Sequence, residues 1–338
     1  MKLRKLHIEN YKMFKDFDIS FVDKEDKPLP IIVLAGVNGS GKTTLLEYLF
    51  YYKVNESEDT LRIENKHNAS YVMKKRKLYI PEMRKEYKKS IKYITVNFNK
   101  IENIKEIIRQ KYIDRAFEID KPSKALKELQ DYIKDIFNGL DLTFNLSTIN
   151  YNKKEVLFKD NNGVEFDIDE LSTGEKTLLS KVLYLFFKGY KDNIILIDEP
   201  ELSLHPSWQN KVLKIYENFA IKNNCQIIIA THSPHIIGSA KNEYIRILRK
   251  KEDGTIEAID NLKAHGRDIN SILFDVMGEV AYRPREFDDK IDRLHIAIDD
   301  RNLEEAKKRL KELKKDYGEE DEVIMEAQML IDMFSRDE

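Results

Sequence analysis

The sequence predicts an α/β fold built around a buried parallel β-sheet, because three short apolar runs each end in polar residues suited to chemistry. The runs cover residues 31–34, 194–197 and 226–230 and consist mainly of isoleucine, leucine and valine. Strands buried on both faces of a parallel sheet show such continuous apolar runs, and open α/β sheets bind ligands at the carboxyl ends of their strands. The polar residues that follow each run are therefore candidates for a functional site.

The first run is followed by a glycine-rich loop, residues 36–43, and then by an apolar segment with helical character. This order of strand, glycine loop and helix predicts a site for a nucleoside triphosphate. Glycines let backbone N–H groups turn inward around phosphate oxygens, and the ammonium of Lys42 adds positive charge at the β- and γ-phosphates. The hydroxyl of Thr43 is a candidate ligand of Mg²⁺.

The second run ends in two acids, Asp198 and Glu199, which a helix-breaking proline, Pro200, follows. A buried strand that ends in this way delivers two carboxylates to the sheet edge where ligands bind. We expect Asp198 to belong to the Mg²⁺ shell. We expect Glu199 to be the general base that polarises the attacking water.

The third run ends in Thr231 and His232. A neutral imidazole at this position is able to bond a γ-phosphate oxygen or the attacking water. A single histidine at a strand end also fits a purely structural role, so the sequence leaves both interpretations open.

A fourth motif, Leu-Ser-Thr-Gly-Glu-Lys at residues 171–176, stands just before an apolar run with helical character. This places Ser172 and the backbone N–H of Gly174 at the start of a helix, where anions bind readily. The motif, called the signature below, therefore predicts a second anion site separate from the glycine loop.

Taken in their order along the chain, the four motifs resemble those of the ATP-binding-cassette (ABC) superfamily, and within it the soluble branch of RecF-like, SMC-like and overcoming-lysogenization-defect-like heads. The form Asp-Glu-Pro-Glu-x-x-Leu-His-Pro at residues 198–206 is similar to that branch, whereas transporter cassettes usually carry Ser-Ala-Leu-Asp after the acids. The resemblance implies an α/β, ABC-type P-loop ATPase head, with a mixed β-sheet and a helical lobe, that uses ATP and Mg²⁺. It also implies a head-to-tail dimer, in which the signature of one protomer caps the nucleotide on the glycine loop of the other.

The resemblance also implies roles for individual residues. Glu199 is then the catalytic base and His232 the switch histidine, while Thr43 and Asp198 hold the metal. Ser203 and His205 match a loop that contacts the partner protomer. The implied nucleotide-binding residues are Gly36, Asn38, Gly39, Ser40, Gly41, Lys42, Thr43 and Thr44 in the phosphate loop, and Ser172, Gly174 and Glu175 in the signature.

The pattern departs from the family in two places. Thr173 replaces the first of the two signature glycines, which we expect to slow hydrolysis at most. A glutamine is also expected at a strand end between the glycine loop and the signature. Residues 93–98 alternate like a strand but no glutamine follows them directly, and the candidates Gln110 and Gln130 both lie in helical-looking sequence.

Composition fits a protein of the cytoplasm. The chain has 338 residues, a net charge of −2 and one cysteine, which excludes a disulfide framework. It has no apolar run long enough to cross a bilayer, so we expect no membrane partner. The balanced charge gives no global attraction to nucleic acid, and the basic stretch 53–89, which also contains tyrosines, is either a local DNA contact or a solvated face.

The motifs divide the chain into an ATPase domain, residues 1–241, and a C-terminal region, residues 242–338. The first contains a helical insertion at about residues 101–138, which is far too short for the coiled coil of an SMC protein. The second begins with a predicted hairpin at residues 244–259. It continues into two amphipathic helices, at residues 303–317 and 323–334, whose apolar sides we expect to pack on a neighbour.

Two hypotheses compete for the C-terminal region. A built-in nuclease of the Toprim kind requires acids on strands, whereas Asp288, Asp289, Asp299 and Asp300 lie in helix-like sequence. The segment that opens with Gly-Arg-Asp at residues 266–268 is instead similar to the tail of ATPases from Septu-type antiphage systems, whose partner is an HNH nuclease. We therefore expect an ATPase that regulates an effector in bacterial antiphage defence. A RecF-like ATPase of DNA repair or recombination is the main alternative, and the energy subunit of a transporter is a third.

Overall fold

The computed structural model describes residues 1–51, 60–64, 70–74, 91–94, 101–140, 142–150, 153–260, 263–276 and 285–335. The chain divides into two compact units, Met1–Glu279 and Val280–Glu338. In these described ranges no helix has both the length and the apolar composition needed to cross a bilayer.

The elements are numbered in chain order. The strands are β1 (Lys2–Tyr11), β2 (Phe14–Ser20), β3 (Ile31–Ala35), β4 (Thr60–Glu64), β5 (Ser70–Lys74), β6 (Ile91–Ile94), β7 (Phe144–Asn150), β8 (Glu155–Asp160), β9 (Glu165–Asp167), β10 (Ile194–Asp198), β11 (Gln226–Ala230), β12 (Ile245–Lys250) and β13 (Ile256–Asp260). The helices are α1 (Lys42–Tyr51), α2 (Ile101–Ile119), α3 (Pro122–Ile136), α4 (Thr173–Lys188), α5 (Pro206–Lys222), α6 (Pro234–Ser239), α7 (Arg285–Asp299), α8 (Leu303–Tyr317) and α9 (Glu322–Phe334).

The central sheet of the first unit has the strand order β13-β12-β3-β11-β10-β6. Neighbouring strands from β12 to β6 run parallel, and β13 runs antiparallel to β12. Every residue of β3, β10 and β11 is buried, which confirms the parallel strands predicted from the three apolar runs. Because β11 lies between β3 and β10, the carboxyl ends of these three strands meet at one edge of the sheet.

A second, antiparallel sheet has the order β2-β1-β4-β5, in which β1 and β2 form a hairpin at the start of the chain. Strands β4 and β5 fall inside the basic stretch 53–89. The rest of that stretch and its lysine and arginine side chains lie outside the described residues, so the predicted DNA contact stays a prediction.

Helices α2 and α3 occupy the segment predicted to be helical and form a lobe with the antiparallel sheet β7-β8-β9. The side chains of Leu129, Ile133 and Ile136 recur at three- and four-residue spacing on one face of α3 and are buried in the core of the first unit. This spacing is that of an amphipathic helix on a hydrophobic core. The lobe leads through Ile168–Glu170, a short 3₁₀ helix, to α4.

The predicted hairpin after residue 241 is present as β12 and β13. Strand β12 pairs in parallel with β3, with Ile245 beside Val33, and its residues Ile245 to Leu248 are buried. The hairpin therefore extends the same sheet that carries the phosphate loop. Beyond it, a short helical stretch at Ile269–Ser271 runs into the π-helical turn Ile272–Val276.

The second unit consists, in its described part, of helices α7, α8 and α9. The two amphipathic helices predicted from spacing are present within one residue of their predicted starts, and the four aspartates at 288–289 and 299–300 lie on α7 or directly after it. The apolar faces of the three helices pack on one another. The buried side chains that form this cluster are Phe287, Ile291, Leu294, Ala297, Ile298, Ala306, Leu310, Leu313, Ile324, Ala327 and Ile331.

Candidate nucleotide site

The glycine loop lies between β3 and α1, as predicted. Gly36 has φ +147°, and a Cβ atom at this position would come within 2.5 Å of the Leu248 carbonyl oxygen. The close approach of β12 therefore requires a glycine here. The same loop curls around the side chain of Lys42, whose Nζ donates to the carbonyl oxygens of Gly36 at 2.7 Å and Val37 at 2.9 Å.

The loop places its other predicted residues around that ammonium. Asn38 and Gly39 are exposed, Thr44 is half-buried, and Gly41 has φ +88°. The hydroxyl of Ser40 is buried and has no hydrogen-bond partner among the described residues. A buried cation, an unpaired hydroxyl and the start of a ten-residue helix together form a cradle whose donors fit the phosphates of a nucleotide.

Thr43 and Asp198, the predicted metal ligands, lie side by side. Thr43 stands in the first turn of α1 and Asp198 ends β10, and the Thr43 hydroxyl donates to the Asp198 carboxylate over 3.2 Å. A hydroxyl and a carboxylate are the hard oxygen donors that Mg²⁺ prefers. The two side chains thus fit one metal ion between the phosphate loop and the sheet edge.

Glu199 adopts an unusual backbone conformation at the end of β10. Its φ is +46°, in the left-handed region, although proline follows it and disfavours helical geometry at the preceding residue. Its N–H donates to the carbonyl oxygen of Ala230 at 2.9 Å, which ties the turn to the end of β11. The carboxylate remains 28% exposed, so water reaches it.

His232 lies beside that carboxylate, as its position after β11 predicted. Its Nδ1 is 3.5 Å from an oxygen of Glu199 and 3.5 Å from an oxygen of Glu201. These separations exceed those of good hydrogen bonds, so the ring is close to both acids without being fixed by either. The structure therefore brings together the predicted base and the predicted switch histidine.

Glu201 is a residue that the sequence analysis missed. It is 5% exposed, and one of its oxygens accepts from the Thr231 hydroxyl at 2.6 Å and from the His232 N–H at 3.0 Å. These bonds connect the turn after β10 to the turn after β11. The signal available in the sequence was the second acid two residues after Glu199, at a position next to a buried strand.

Lys181 is the second residue that was missed. It lies on α4, is 2% exposed, and its Nζ donates to the carbonyl oxygen of Glu199 at 3.0 Å. Burial lowers the pKa of the Lys181 ammonium, and the nearby carboxylates of Glu201, Glu199 and Asp198 oppose that shift. The only lysine of a nearly all-apolar run, residues 177–187, was the available signal.

The signature forms the N-terminus of α4, as predicted. Ser172 and Glu175 make a reciprocal capping box, in which Ser172 Oγ accepts from the Glu175 N–H at 3.3 Å and Glu175 accepts from the Ser172 N–H at 2.8 Å. Thr173, which replaces a family glycine, is exposed in the first turn. Neither Ser172 nor Glu175 hydrogen-bonds to the phosphate loop of the same chain.

Gly174 approaches the loop after β10 closely. A Cβ atom here would lie 2.6 Å from the carbonyl oxygen of Ser203, which itself has φ +67°. His205, the other predicted dimer-contact residue, caps α5 by accepting from the Ser207 N–H at 3.3 Å. Ser203 and His205 therefore have structural roles within the chain, whether or not they make the predicted dimer contact.

The two glutamine candidates bond within the helical lobe. Gln110 donates to Asp114 on the same helix, and Gln130 donates to the Ser147 carbonyl oxygen of β7. Strand β6, which pairs in parallel with β10, ends at Ile94, and the residues that follow it are outside the described part of the chain. The structure does not bring either glutamine to the carboxyl end of a central strand.

Comparisons with known proteins agree with this geometry. A family model described as "AAA domain, putative AbiEii toxin, Type IV TA system" matches residues 54–238. The Septu protein PtuA of Bacillus thuringiensis is 30% identical over 187 residues, which are 50% of this chain and 46% of PtuA. The Retron Ec83 probable ATPase of Escherichia coli is 28% identical over 193 residues, which are 52% of this chain and 34% of that protein. The chain thus spans less than half the length of these two relatives.

Among solved structures, the SMC head domain from Thermotoga maritima matches with a TM-score of 0.52 and 15% identity, over 77% of this chain and 99% of that one. This likeness is one of fold and confirms the mixed α/β head expected from the motifs. The family match covers more than half of the chain and contains both strand-end acids, His232 and the signature. The chain therefore belongs to the AAA domain family of ATPases and has the fold of an SMC-type head.

Proposed function

We propose that the chain binds Mg-ATP, hydrolyses it to ADP and phosphate, and dimerises head-to-tail, so that the ATP cycle controls an effector protein in bacterial antiphage defence. The observation that carries the catalytic part is the meeting of two residue pairs at one sheet edge. Thr43 and Asp198 lie 3.2 Å apart, and Glu199 and His232 lie 3.5 Å apart. The strand order places both pairs beside the phosphate loop.

Binding of the triphosphate rests on the phosphate loop. The ammonium of Lys42 donates to two loop carbonyls, and exchange of these bonds for bonds to the β- and γ-phosphates places its charge against theirs. The N-terminus of α1 adds backbone N–H donors and the positive end of a helix dipole. Thr43 and Asp198 would hold a Mg²⁺ ion, which would supply positive charge against the phosphates.

Glu199 is the residue that takes a proton from the attacking water. Its carboxylate is partly exposed at the sheet edge, next to the metal ligands, and its backbone is held by the bond to Ala230. His232 stands at the same edge and orients the water or a γ-phosphate oxygen. Hydrolysis in this class of reaction depends mainly on positioning and electrostatic stabilisation, which two fixed strand ends supply.

The signature supplies the reason for a dimer. Ser172 is the N-cap and Gly174 lies in the first turn of a sixteen-residue helix. Among the described residues, no hydrogen bond of Ser172 or Glu175 leads to the chain's own phosphate loop. A helix N-terminus with an exposed serine suits the γ-phosphate of a nucleotide held by a second copy. Two copies arranged head-to-tail then complete two sites.

An effector and a defence role are supported by the relatives and by the second unit. The two relatives above are a Septu protein and a retron ATPase. The outward side of α9 exposes Met325, Met329 and Met333, spaced four residues apart, with Leu330 between them. Exposed, adaptable apolar side chains of this kind suit a protein partner, for which a nuclease of the HNH type is our proposal.

The catalytic and dimeric parts are tested together with Glu199→Gln. This change keeps the shape of the side chain but removes the base, so ATP should bind with parental affinity while hydrolysis falls roughly 10²–10⁴-fold. Dimers should accumulate with ATP, as measured by light scattering after gel filtration. Ser172→Arg in the same background is the control. The arginine fills the signature surface that faces the partner and should prevent dimerisation, which leaves an ATP-bound monomer.

Hydrolysis by Glu199→Gln at the parental rate would show that another residue is the base. A dimer that forms equally well with Ser172→Arg would show that the signature does not contact the partner's nucleotide. Tight ATP-dependent binding of duplex DNA by the chain alone, in a filter or anisotropy assay, would favour the RecF-like alternative.

A further inference from the structure

A lysine lies in the interior of the first unit, between the signature helix and the turn after β10. Lys181 is 2% exposed, although lysine is rarely buried without a specific partner. Taking an ammonium out of water is costly, and an apolar side chain of similar length would avoid that cost. The position therefore calls for a reason other than packing.

The partner of Lys181 is the backbone of the candidate base. Its Nζ donates to the Glu199 carbonyl oxygen at 3.0 Å, and the same oxygen accepts the Leu202 N–H at 3.2 Å. The N–H on the other side of Glu199 is held by Ala230. Both peptide groups that flank this residue are thus fixed, and the direction of its side chain follows from them.

The turn at Glu199 needs such support. A left-handed conformation is unfavourable for a residue other than glycine, and Pro200 disfavours helical geometry at the residue before it. Strained backbone of this kind persists where surrounding contacts over-determine it. Lys181 is one of those contacts, and it comes from a different element from the strand that carries the base.

The element that carries Lys181 is the one that begins with the signature. Gly174 and Lys181 are seven residues, or about two helical turns, apart and therefore lie on one face of α4. Gly174 packs against the Ser203 carbonyl and Lys181 bonds to the Glu199 carbonyl. The helix thus touches both ends of the segment 199–203.

We propose that Lys181 is a positioning residue for ATP hydrolysis, whose buried ammonium holds the turn at Glu199 and so directs the carboxylate toward the attacking water. The proposal rests on the function proposed above, with Glu199 as the base. It predicts that the lysine serves the reaction rather than the stability of the fold. The carboxylates of Asp198, Glu199 and Glu201 keep a cation acceptable at this buried position.

The test is steady-state ATPase kinetics of Lys181→Met, with Lys188→Met as the matched control. Both changes put methionine on α4, but Lys188 is exposed near the end of the helix. We expect Lys181→Met to keep the parental KM and thermal midpoint while kcat falls about 10²-fold, the size of effect that a small misplacement of a reacting group produces. Lys181→Arg, which keeps a charged donor, should restore part of the loss, and Lys188→Met should behave as the parent.

A double variant separates positioning from a general structural role. If Lys181 acts through Glu199, then Lys181→Met should add nothing to the loss already caused by Glu199→Gln, because residues that act as one unit are not additive. A parental kcat for Lys181→Met, or a full additional loss in the double variant, would overturn the proposal. If the methionine variant does not fold, Lys181→Gln is measured in the same two backgrounds and is judged by the same outcomes.

The controls also distinguish failure of this proposal from failure of the proposed function. An inactive parent chain, or a Glu199→Gln variant with parental turnover, contradicts the role of Glu199 itself. An active parent with an inactive Glu199→Gln variant and a fully active Lys181→Met variant contradicts the role of Lys181 alone.

Discussion

The interiors of the two compact units differ in chemistry. Every described residue that is buried in the second unit is apolar, whereas the first unit buries charged and polar side chains close to the candidate site. Near that site they include Ser40, Lys42, Lys181, Asp198, Glu201 and Thr231. Buried polar groups lower stability unless they are paired, so their concentration in one unit marks where function rather than folding selects the residues.

The polar contacts of the second unit lie at its surface. Lys290 pairs with Glu286 at 3.0 Å and with Asp316 at 2.9 Å, and Arg309 pairs with Glu305 at 2.8 Å. Exposed pairs of this kind contribute little to stability, so the apolar contacts between α7, α8 and α9 hold the unit together. We therefore propose that the second unit is a scaffold that presents a surface to a partner, whereas the first unit contains the nucleotide site.

Removal of the second unit should have the largest effect, which falls on binding of the effector. It also tests whether the first unit folds and hydrolyses ATP without the second. A chain that ends at residue 284 should fold, bind ATP and hydrolyse it as the full chain does, because the hydrogen bonds described above for the site join residues of the first unit. It should lose the effector completely in a pull-down with the protein of the neighbouring gene. Trp208, the one tryptophan of the sequence, reports folding of the first unit by fluorescence.

A matched variant keeps this experiment specific to the surface of α9. Met329 is 68% exposed, so Met329→Lys should leave folding intact and weaken effector binding in the full chain. Retention of the effector by the truncated chain would move the docking surface to the first unit. An insoluble truncation would show that the second unit completes the core of the first.

Lys42→Ala should have the next largest effect, which is a loss of ATP affinity rather than a loss of stability. Loss of a desolvated charge opposite a phosphate costs about 4 kcal/mol, or roughly a thousandfold in affinity. The thermal midpoint should change little, because the change also removes the cost of burying an ammonium. Calorimetric titration with ATP measures the affinity, and Lys191→Ala, at an exposed lysine of the same unit, is the control.

Parental affinity for ATP in Lys42→Ala would contradict the assignment of the phosphate loop. A large loss of stability with no loss of ATP affinity would show that the buried Lys42 serves the fold rather than the site.

The same contrast explains how much of the site could be predicted from the sequence. Lys42, Thr43, Asp198, Glu199 and His232 follow buried apolar runs, and a parallel sheet brings the ends of such runs together whatever the rest of the fold is. The fold class alone was therefore sufficient to predict that these side chains lie close together. The signature was predictable for the same reason, because a Ser and a Glu three residues apart cap a helix locally.

The residues that were missed depend on packing between distant elements. Lys181 lies in a run whose apolar residues cover most of the helix surface, and such a helix is buried all round, so a lysine within it needs an internal partner. The identity of that partner follows from the three-dimensional packing of α4 on the turn after β10, which periodicity does not contain. Likewise, the apolar faces of α8 and α9 predicted that another element covers them. The sequence did not predict that these two helices pack on each other and on α7.

The smallest effect is expected from Leu294→Ala. In contrast to Lys42→Ala, this change should alter stability and leave ATP binding unchanged. Leu294 is fully buried between the three helices of the second unit, and its truncation should destabilise that unit by about 3 kcal/mol through lost contacts and a cavity. ATP affinity and turnover should stay at the parental values. Hydrogen exchange of α7, α8 and α9 measures the local stability, while Trp208 fluorescence follows the first unit in the same urea titration.

Leu330→Ala is the matched control, because Leu330 is 38% exposed and its truncation removes less buried surface than that of Leu294. Faster exchange confined to the second unit in Leu294→Ala would confirm that its apolar interior folds the unit without serving the site. Loss of ATP turnover in Leu294→Ala, with nucleotide affinity unchanged, would instead show that the helices influence the catalytic base, Glu199. The second unit would then be part of the ATPase machinery, and the division between scaffold and site would not hold.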